Sequence, residues 1–486
     1  MWKLILSTIL FLSVSCFASH ENKLTDQMIS QLLDDREELE EASKAEDTMI
    51  VNIEEIEDII EDLNRSESSK RRVKIWFVNN TNPLPGNGSF KNPFNTLLAA
   101  QEASRKGDII FVFPGDNTTR GMDSGFVMKK GQRLLGAGVH HKIDFPQKKL
   151  IVRAPSTTLP RITDPSRSII ILADSCEVSG INVVDVLNGD AILGGDPNPF
   201  GPLTKGIKNT LIRKNVISTF TQNANFVLNG AIYLPSCTGR LIVERNYILD
   251  VSGVPSLSAV LETGNSGSGI VVFNENNPVS SEIIIKKNIV SNTAATGIIL
   301  SHSAPKGKVR AVIEGNIVFN IGDIGDAIFV GIEQTSEGVN ADGRLCVKIK
   351  NNFCQNVHDG FDIHLQSAGV GRVKAQVIGN IMARSATIED EVGQTFLPGF
   401  FASSLDSSFL CLKLVKNFSE FGYELVQVDA SRFKLEPPHK NLGLPFTVVG
   451  NVKTVHADRC SCGSESDSSS GHGPLQLDVD IAKKFF

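Results

Sequence analysis

The sequence predicts an all-β chain: a single-stranded, right-handed parallel β-helix solenoid with a short N-terminal capping helix, preceded by an acidic helical arm. Three observations carry this. One phrase recurs, made of two or three β-branched residues, a short polar pair, an asparagine and another apolar residue, as in LIRKNVI at 211–217, IVERNYI at 242–248 and VIEGNIV at 312–318. Its asparagines, Asn215, Asn246, Asn288, Asn316, Asn352, Asn380, Asn417 and Asn451, are separated by 31, 42, 28, 36, 28, 37 and 34 residues, the signature of stacked units with variable side loops. The apolar runs between them are short, rich in Val and Ile, and bounded by Gly, Asn and Ser, so they read as strands and not as helical repeats.

A second strand recurs in each period: NGAIYL at 229–234, GSGIVVF at 267–273, ATGIILS at 295–301, GDAIFVG at 325–331 and HDGFDIH at 358–364. Alternation along it aims Ile232, Ile270, Ile298, Ile328 and Phe361 at a common core. Strands that pair with their equivalents one coil on lie about 4.8 Å apart, and the parallel crossover favours a right-handed path. The asparagines then form an internal ladder, each amide satisfying turn backbone and its stacked neighbours.

The stack begins with GNGSFKNPFNTLLAAQEASRKGDIIFVFPG at 86–115. Asn95 is placed to cap a short helix that turns Leu97, Leu98, Ala100 and Ala103 inward, and Gly107 ends it before the strand 108–113. The helix would cover the open edge of the first coil, which otherwise templates pairing with other chains. In this glycine turn, Pro-Phe, short helix and Gly-Asp strand, the chain resembles secreted bacterial right-handed β-helix proteins of the pectin-lyase-like superfamily, over about residues 73–457. The resemblance implies the fold and leaves the activity open, since that superfamily includes lyases, hydrolases, epimerases, adhesins and passenger domains.

The first nineteen residues, MWKLILSTILFLSVSCFAS, carry one lysine and an apolar stretch too short to span a bilayer, so residues 1–18 read as a secretory signal. Cys16 is a relaxed match to a lipoprotein anchor, the alternative reading of the same segment. No later segment is a transmembrane helix, and too few residues follow Asn451 to build a membrane barrel. Residues 19–72 hold seventeen acidic and seven basic side chains and read as a helical or partly disordered arm. The stretch 458–486, with GSESDSSSGHG, reads as a loose Ser/Gly-rich tail. The cysteines do not resemble a disulfide framework: Cys346 and Cys411 fall two coils apart, too far to bridge each other, and Cys460 and Cys462 form a pair in the tail with the chemistry to bind a metal or to cross-link.

Two groups of side chains could carry chemistry. Counting back from the ladder asparagines aligns Lys308, Arg344 and Arg372 on successive coils, and Arg240, Arg310 and Lys374 in a second row. Stacked like charges are unfavourable on parallel strands, so a basic ridge suggests an extended polyanion along the axis; surface solubility is the plainer alternative. Asp326 and Asp359 take equivalent places on neighbouring coils, with Asp362 and His364 outward beside them, an arrangement that would suit acid/base work on a glycosidic bond. Capping of turns is the plainer account of those acids. Above them, Phe329, Ile299, Val271 and Tyr233 form an outward apolar strip that either seats a sugar face or packs under a loop such as 249–266.

The Asn-Thr-Asp, Asp-Asp, Gly-His-Gly and Arg-Ile-Lys series of polygalacturonase-like hydrolases is not reproduced on the coils, where Gly471-His472-Gly473 falls in the tail. No metal-ligand spacing, cofactor loop or nucleic-acid motif is present. The expectation is an exported or cell-surface binding scaffold of the adhesin kind, directed at an acidic polysaccharide or a surface protein. The alternatives are a polysaccharide lyase, hydrolase or epimerase, and a structural envelope component. Oligomeric state is not legible.

Overall fold

A computed structural model describes residues 40, 48–66, 73–145, 148–195, 206–218, 220–221, 230–252, 267–274, 280–302, 307–322, 325–333, 342–358, 360–383, 387–390, 393–437, 440–443, 446–456, 459–460 and 462. The expected leader at 1–18 with Cys16, most of 19–47, Asp359, most of the loop 249–266 and the tail beyond Cys462 lie outside the described residues.

Among the described residues the coils form a parallel β-helix of three long sheets. Sheet I has thirteen strands, running from Ile75–Val78 through Lys308–Glu314 and Arg344–Lys350 to Lys453–Thr454. Sheet II, which follows the ladder asparagines, and sheet III, which contains the glycine-led strands, have eleven each. Neighbouring strands are parallel and in register, as in Ile298 against Ile328 and Val309 against Leu345. The inward column of sheet III, Ile232, Ile270, Ile298, Ile328, Ile363 and Phe400, is fully buried in one core that continues along the helix. Each such side chain contributes about 1.5–3 kcal/mol of burial. The expected column is corrected at one coil: Ile363, not Phe361, stands next to Ile328.

The turn between sheets I and II explains the recurring phrase. The residue before each ladder asparagine adopts a left-handed conformation, with φ of 54° at Lys214, 53° at Arg245 and Lys287, and 54° at Asn351, or is glycine, as at Gly315 and Gly379. That backbone corner points the asparagine inward, where its amide closes a ladder. The Nδ2 group of Asn288 donates to Oδ1 of Asn316 at 3.0 Å and to the Val243 carbonyl at 2.9 Å, and Asn316 repeats both contacts one coil on. The series runs from Asn215 to Asn417 and then to Asn441, which accepts from Nδ2 of Asn417 at 3.1 Å. Asn451, expected as the last rung, is exposed and is not part of it. A parallel outer ladder, Asp250, Asn292, Asn320 and Asn356, uses side chains again placed by left-handed backbone.

The lid helix α1 (Leu97–Ala103) covers the first coil with Leu97 and Ala100, both fully buried, whereas Leu98 is 43% exposed. Its cap is Thr96 and not Asn95: the Thr96 hydroxyl accepts from the Ala99 amide at 3.2 Å. Thr96→Ala is expected to cost about 1 kcal/mol, read as a lower urea midpoint, while Asn95→Ala stays within about 0.5 kcal/mol.

Part of the segment read as an acidic arm is built into the body. Thr48–Val51 pairs with Lys148–Val152, which forms a hairpin with His141–Phe145. The helix 56–66 that follows turns Ile56 and Ile60 onto a second core with Ile75, Phe77, Ile109 and Phe111, on the outer face of sheet I; Asp58, Glu61 and Asp62 stay in solvent, while Glu57 accepts the Phe90 amide at 3.1 Å. Beneath the hairpin lies an ionic cluster. Glu177 receives Arg133 Nε at 2.6 Å and Arg213 Nη2 at 3.1 Å. Burial disfavours the Glu177 charge, but the two guanidinium groups outweigh it and hold its pKa below the usual range. His141 is fully buried beside them, and its Nε2–H donates to the Gly136 carbonyl at 2.7 Å.

The cysteine reading is corrected in part at the other end. Cys346 and Cys411, as expected, do not bridge each other, but the cysteines do form a disulfide framework: each is joined to the chain returning from the last coil, Cys411 to Cys460 and Cys346 to Cys462. Cys460 and Cys462, expected within the loose tail, are therefore stapled onto sheet I.

Candidate functional site

Sheet I presents the basic ridge. Register places Lys308, Arg344 and Arg372 side by side on three adjacent strands, with Phe409 and Arg432 next in the same row. All four cations are exposed, and among the described residues no carboxylate pairs with Lys308, Arg344 or Arg372. Arg432 lies over the Phe409 ring, its Cζ 5.9 Å from the centroid, so the row includes one aromatic step.

The second row differs from expectation. Its order is Arg240, Glu282, Arg310, Cys346, Lys374, Cys411 and Lys434, so Arg240 and Arg310 are separated by a carboxylate that Arg240 meets at 3.5 Å. Between Arg310, Lys374 and Lys434 stand the two cystines, and Lys374 Nζ donates to the Arg459 carbonyl of the returning segment at 3.3 Å. A cavity of about 40 Å³ opens beside the outer cystine, lined by Glu282, Arg310, Lys348, Cys346 and Cys462 among others.

Of the acidic group, Asp326 and Asp362 stand just before strands of sheet III and His364 within one, and Asp326 meets His364. Asp326 Oδ2 lies 2.9 Å from His364 Nδ1, across adjacent coils. A carboxylate oxygen only accepts, so the Nδ1–H donates to Asp326. The other Asp326 oxygen accepts the Phe361 amide at 2.8 Å. The His364 ring sits among Phe329, Phe361 and Phe401, with centroids 5.0, 5.2 and 5.1 Å away, and Nε2 is buried without a hydrogen-bond partner among the described residues. The register pairs Ile328 with Ile363, so the place equivalent to Asp326 is taken by Phe361 and not by Asp359. Asp362, expected to face outward, is fully buried; its charge, after burial itself, helps push the Cys354 thiol well above its usual pKa. A carboxylate pair of the kind that glycoside hydrolysis uses is not assembled among the described residues. The Asp326–His364 pair ties one coil to the next inside an aromatic cage.

No protein-family model matches the chain, and no curated protein is similar to it in sequence. Among solved structures, it is similar to the A-module of the mannuronan C-5 epimerase AlgE6 of Azotobacter vinelandii, with 11% identity, a TM-score of 0.38 and coverage of 76% of this chain and 93% of that one. It is also similar to a rhamnogalacturonan lyase, with 11% identity, a TM-score of 0.33 and coverage of 81% and 88%. A complex of XylC with xylose matches with 11% identity, a TM-score of 0.32 and coverage of 76% and 70%. At this identity and these TM-scores the likenesses carry no argument about chemistry; the fold rests on the sheets described above.

The outward strip on sheet III runs Leu193, Tyr233, Val271, Ile299 and Phe329 and is buried along its length, with Phe273 packed against it. It is therefore packing and not a free sugar platform. Among the described residues no cluster of His, Cys, Asp and Glu could hold a metal ion, and no helix is long and apolar enough to cross a membrane. Sequence reasoning missed Phe401 and Phe409, which complete the aromatic cage and the basic row. Both sit in the register of residues already singled out, so only the coil-to-coil alignment after the insertion at 384–399 could have found them.

Proposed function

We propose that the protein is an exported binding scaffold that holds an extended acidic polysaccharide along sheet I. The observation that carries this reading is the exposed row Lys308, Arg344, Arg372 and Arg432, aligned by register and without carboxylate partners for its first three members among the described residues. Stacking like charges about 4.8 Å apart costs stability, and an anionic chain lying along the axis offsets that cost. The whole chain is net negative, at −6, so attraction has to be local to this face. Weak contacts repeated on a rigid support add through effective concentration. Two cystines fit an oxidising compartment and so support export. The enclosed Nε2 of His364 and the inward Asp362 favour binding over turnover as the use of the coils.

The test is retention of the full chain on immobilised polygalacturonate across a salt gradient. The triple variant Lys308→Gln/Arg344→Gln/Arg372→Gln is expected to bind about 10–100-fold more weakly, with a shallower dependence on salt. Equal retention of variant and parent would refute the ridge as the binding face.

A further inference from the structure

The two cystines on sheet I are not equivalent. Cys411 and Cys460 are both buried, at 2% and 0% exposure, whereas Cys346 and Cys462 are both partly exposed. Cys462 also forms one wall of the small cavity whose other polar lining includes Arg310 and Lys348, on neighbouring strands. Beneath it, the Cys462 sulfur rests 3.9 Å from the carbonyls of Val347 and Lys374. The returning segment thus lies on the second basic row, immediately beside the exposed first row.

We propose that the Cys346–Cys462 cystine is a thiol-sensitive latch that regulates the anion-binding face, an inference that rests on the polysaccharide reading above. Thiol–disulfide exchange needs access for the attacking thiolate, and only this cystine offers it. A dithiol reductant opens it in two steps. One thiolate attacks Cys462 Sγ, breaking the S–S bond and releasing Cys346 as a thiolate that takes up a proton. The reductant's second thiolate then displaces Cys462, which leaves as a thiol, and the reductant ends as a cyclic disulfide; two electrons and two protons pass to the protein. The buried Cys411–Cys460 link keeps the segment attached. Opening the outer link frees Cys462 from the wall beside Arg310 and Lys348 and gives a carboxylate or sulfate of the polymer a second row to meet.

The experiment treats the native full chain with dithiothreitol, alkylates with iodoacetamide, and locates the label by peptide mass. Label on Cys346 and Cys462 with Cys411 and Cys460 protected is expected; simultaneous labelling of all four would overturn the latch. The selectively opened protein is expected to bind polygalacturonate about 2–10-fold more tightly with a steeper salt dependence. Cys462→Ser should bind in that tighter mode without reductant, and Arg310→Gln should abolish the gain. Unchanged affinity after selective opening sinks the regulation. Absence of polygalacturonate binding in both forms sinks the polysaccharide reading itself, and the labelling pattern, read separately, tells the two failures apart.

Discussion

Asn316→Ala is expected to destabilise the folded chain by about 3–5 kcal/mol, as for any of the central, fully buried rungs. The Asn316 side chain accepts from both the backbone amide and Nδ2 of Asn288 at 3.0 Å, and donates to the Ile285 carbonyl at 3.0 Å and to Asn352 Oδ1 at 2.9 Å. Truncation leaves two or three of these fully buried groups without their partner, each at about 1–3 kcal/mol. A urea midpoint measured by circular dichroism reads the loss. Asn441→Ala, at the partly exposed end of the ladder, should cost less, and Asn451→Ala should leave the midpoint within about 0.5 kcal/mol. Equal losses at Asn316 and Asn451 would mean that the ladder ends where the sequence period suggested, against the contacts seen at Asn441.

Mild acid is expected to weaken the N-terminal coils through His141. Burial, partly offset by the hydrogen bond to Gly136 and the nearby Glu177, lowers its pKa from 6.5 to about 3, with Arg133 and Arg213 lowering it further. Between those two values the unfolded chain binds the proton and the folded chain does not, so stability is full above pH 6.5 and falls as pH drops toward 3. The loss amounts to about 2 kcal/mol at pH 5 and about 4–5 kcal/mol once both states are protonated. Glu177, whose folded pKa is depressed, contributes in the same direction but at lower pH, below its ordinary value of 4.5. His302, buried and likewise lowered by desolvation, adds the same sign elsewhere in the helix. His141→Gln retains a donor toward Gly136 and should therefore flatten the slope of stability between pH 7 and pH 5 relative to the parent. An unchanged slope would place the acid sensitivity outside this cluster.

Much of the architecture is legible because a solenoid repeats its constraints. Asn215 to Asn417 are all rungs, since each needs the same inward corner, and the phrase that encodes the corner can be counted. The lid helix is legible from Leu97 and Ala100, while its cap is misplaced by one residue because Asn95 and Thr96 are both competent caps and only backbone geometry selects between them. The site is harder, since side-chain direction depends on register. An error of two residues at 358–364 put Phe361 in the core and Asp362 outside, when the structure has Ile363 inside and Asp362 buried. The basic row survives because its strands carry no insertion between Lys308 and Arg372. The cystines were missed for a different reason: their partners come from the far end of the chain, and no local pattern reports a segment folding back.

That folding back alters how the helix comes apart. In a one-dimensional stack each coil holds only its neighbours, so an unclamped end peels strand by strand, and the exposed last strand of sheet III, with Val448 and Val449 about half in solvent, is where peeling would begin. The links from Cys460 to Cys411 and from Cys462 to Cys346 tie that end to coils well inside the stack. The strands that peel, Phe446–Val449 among them, lie inside the loops these links close, so a frayed end stays tethered to the stack and is held close enough to re-pair.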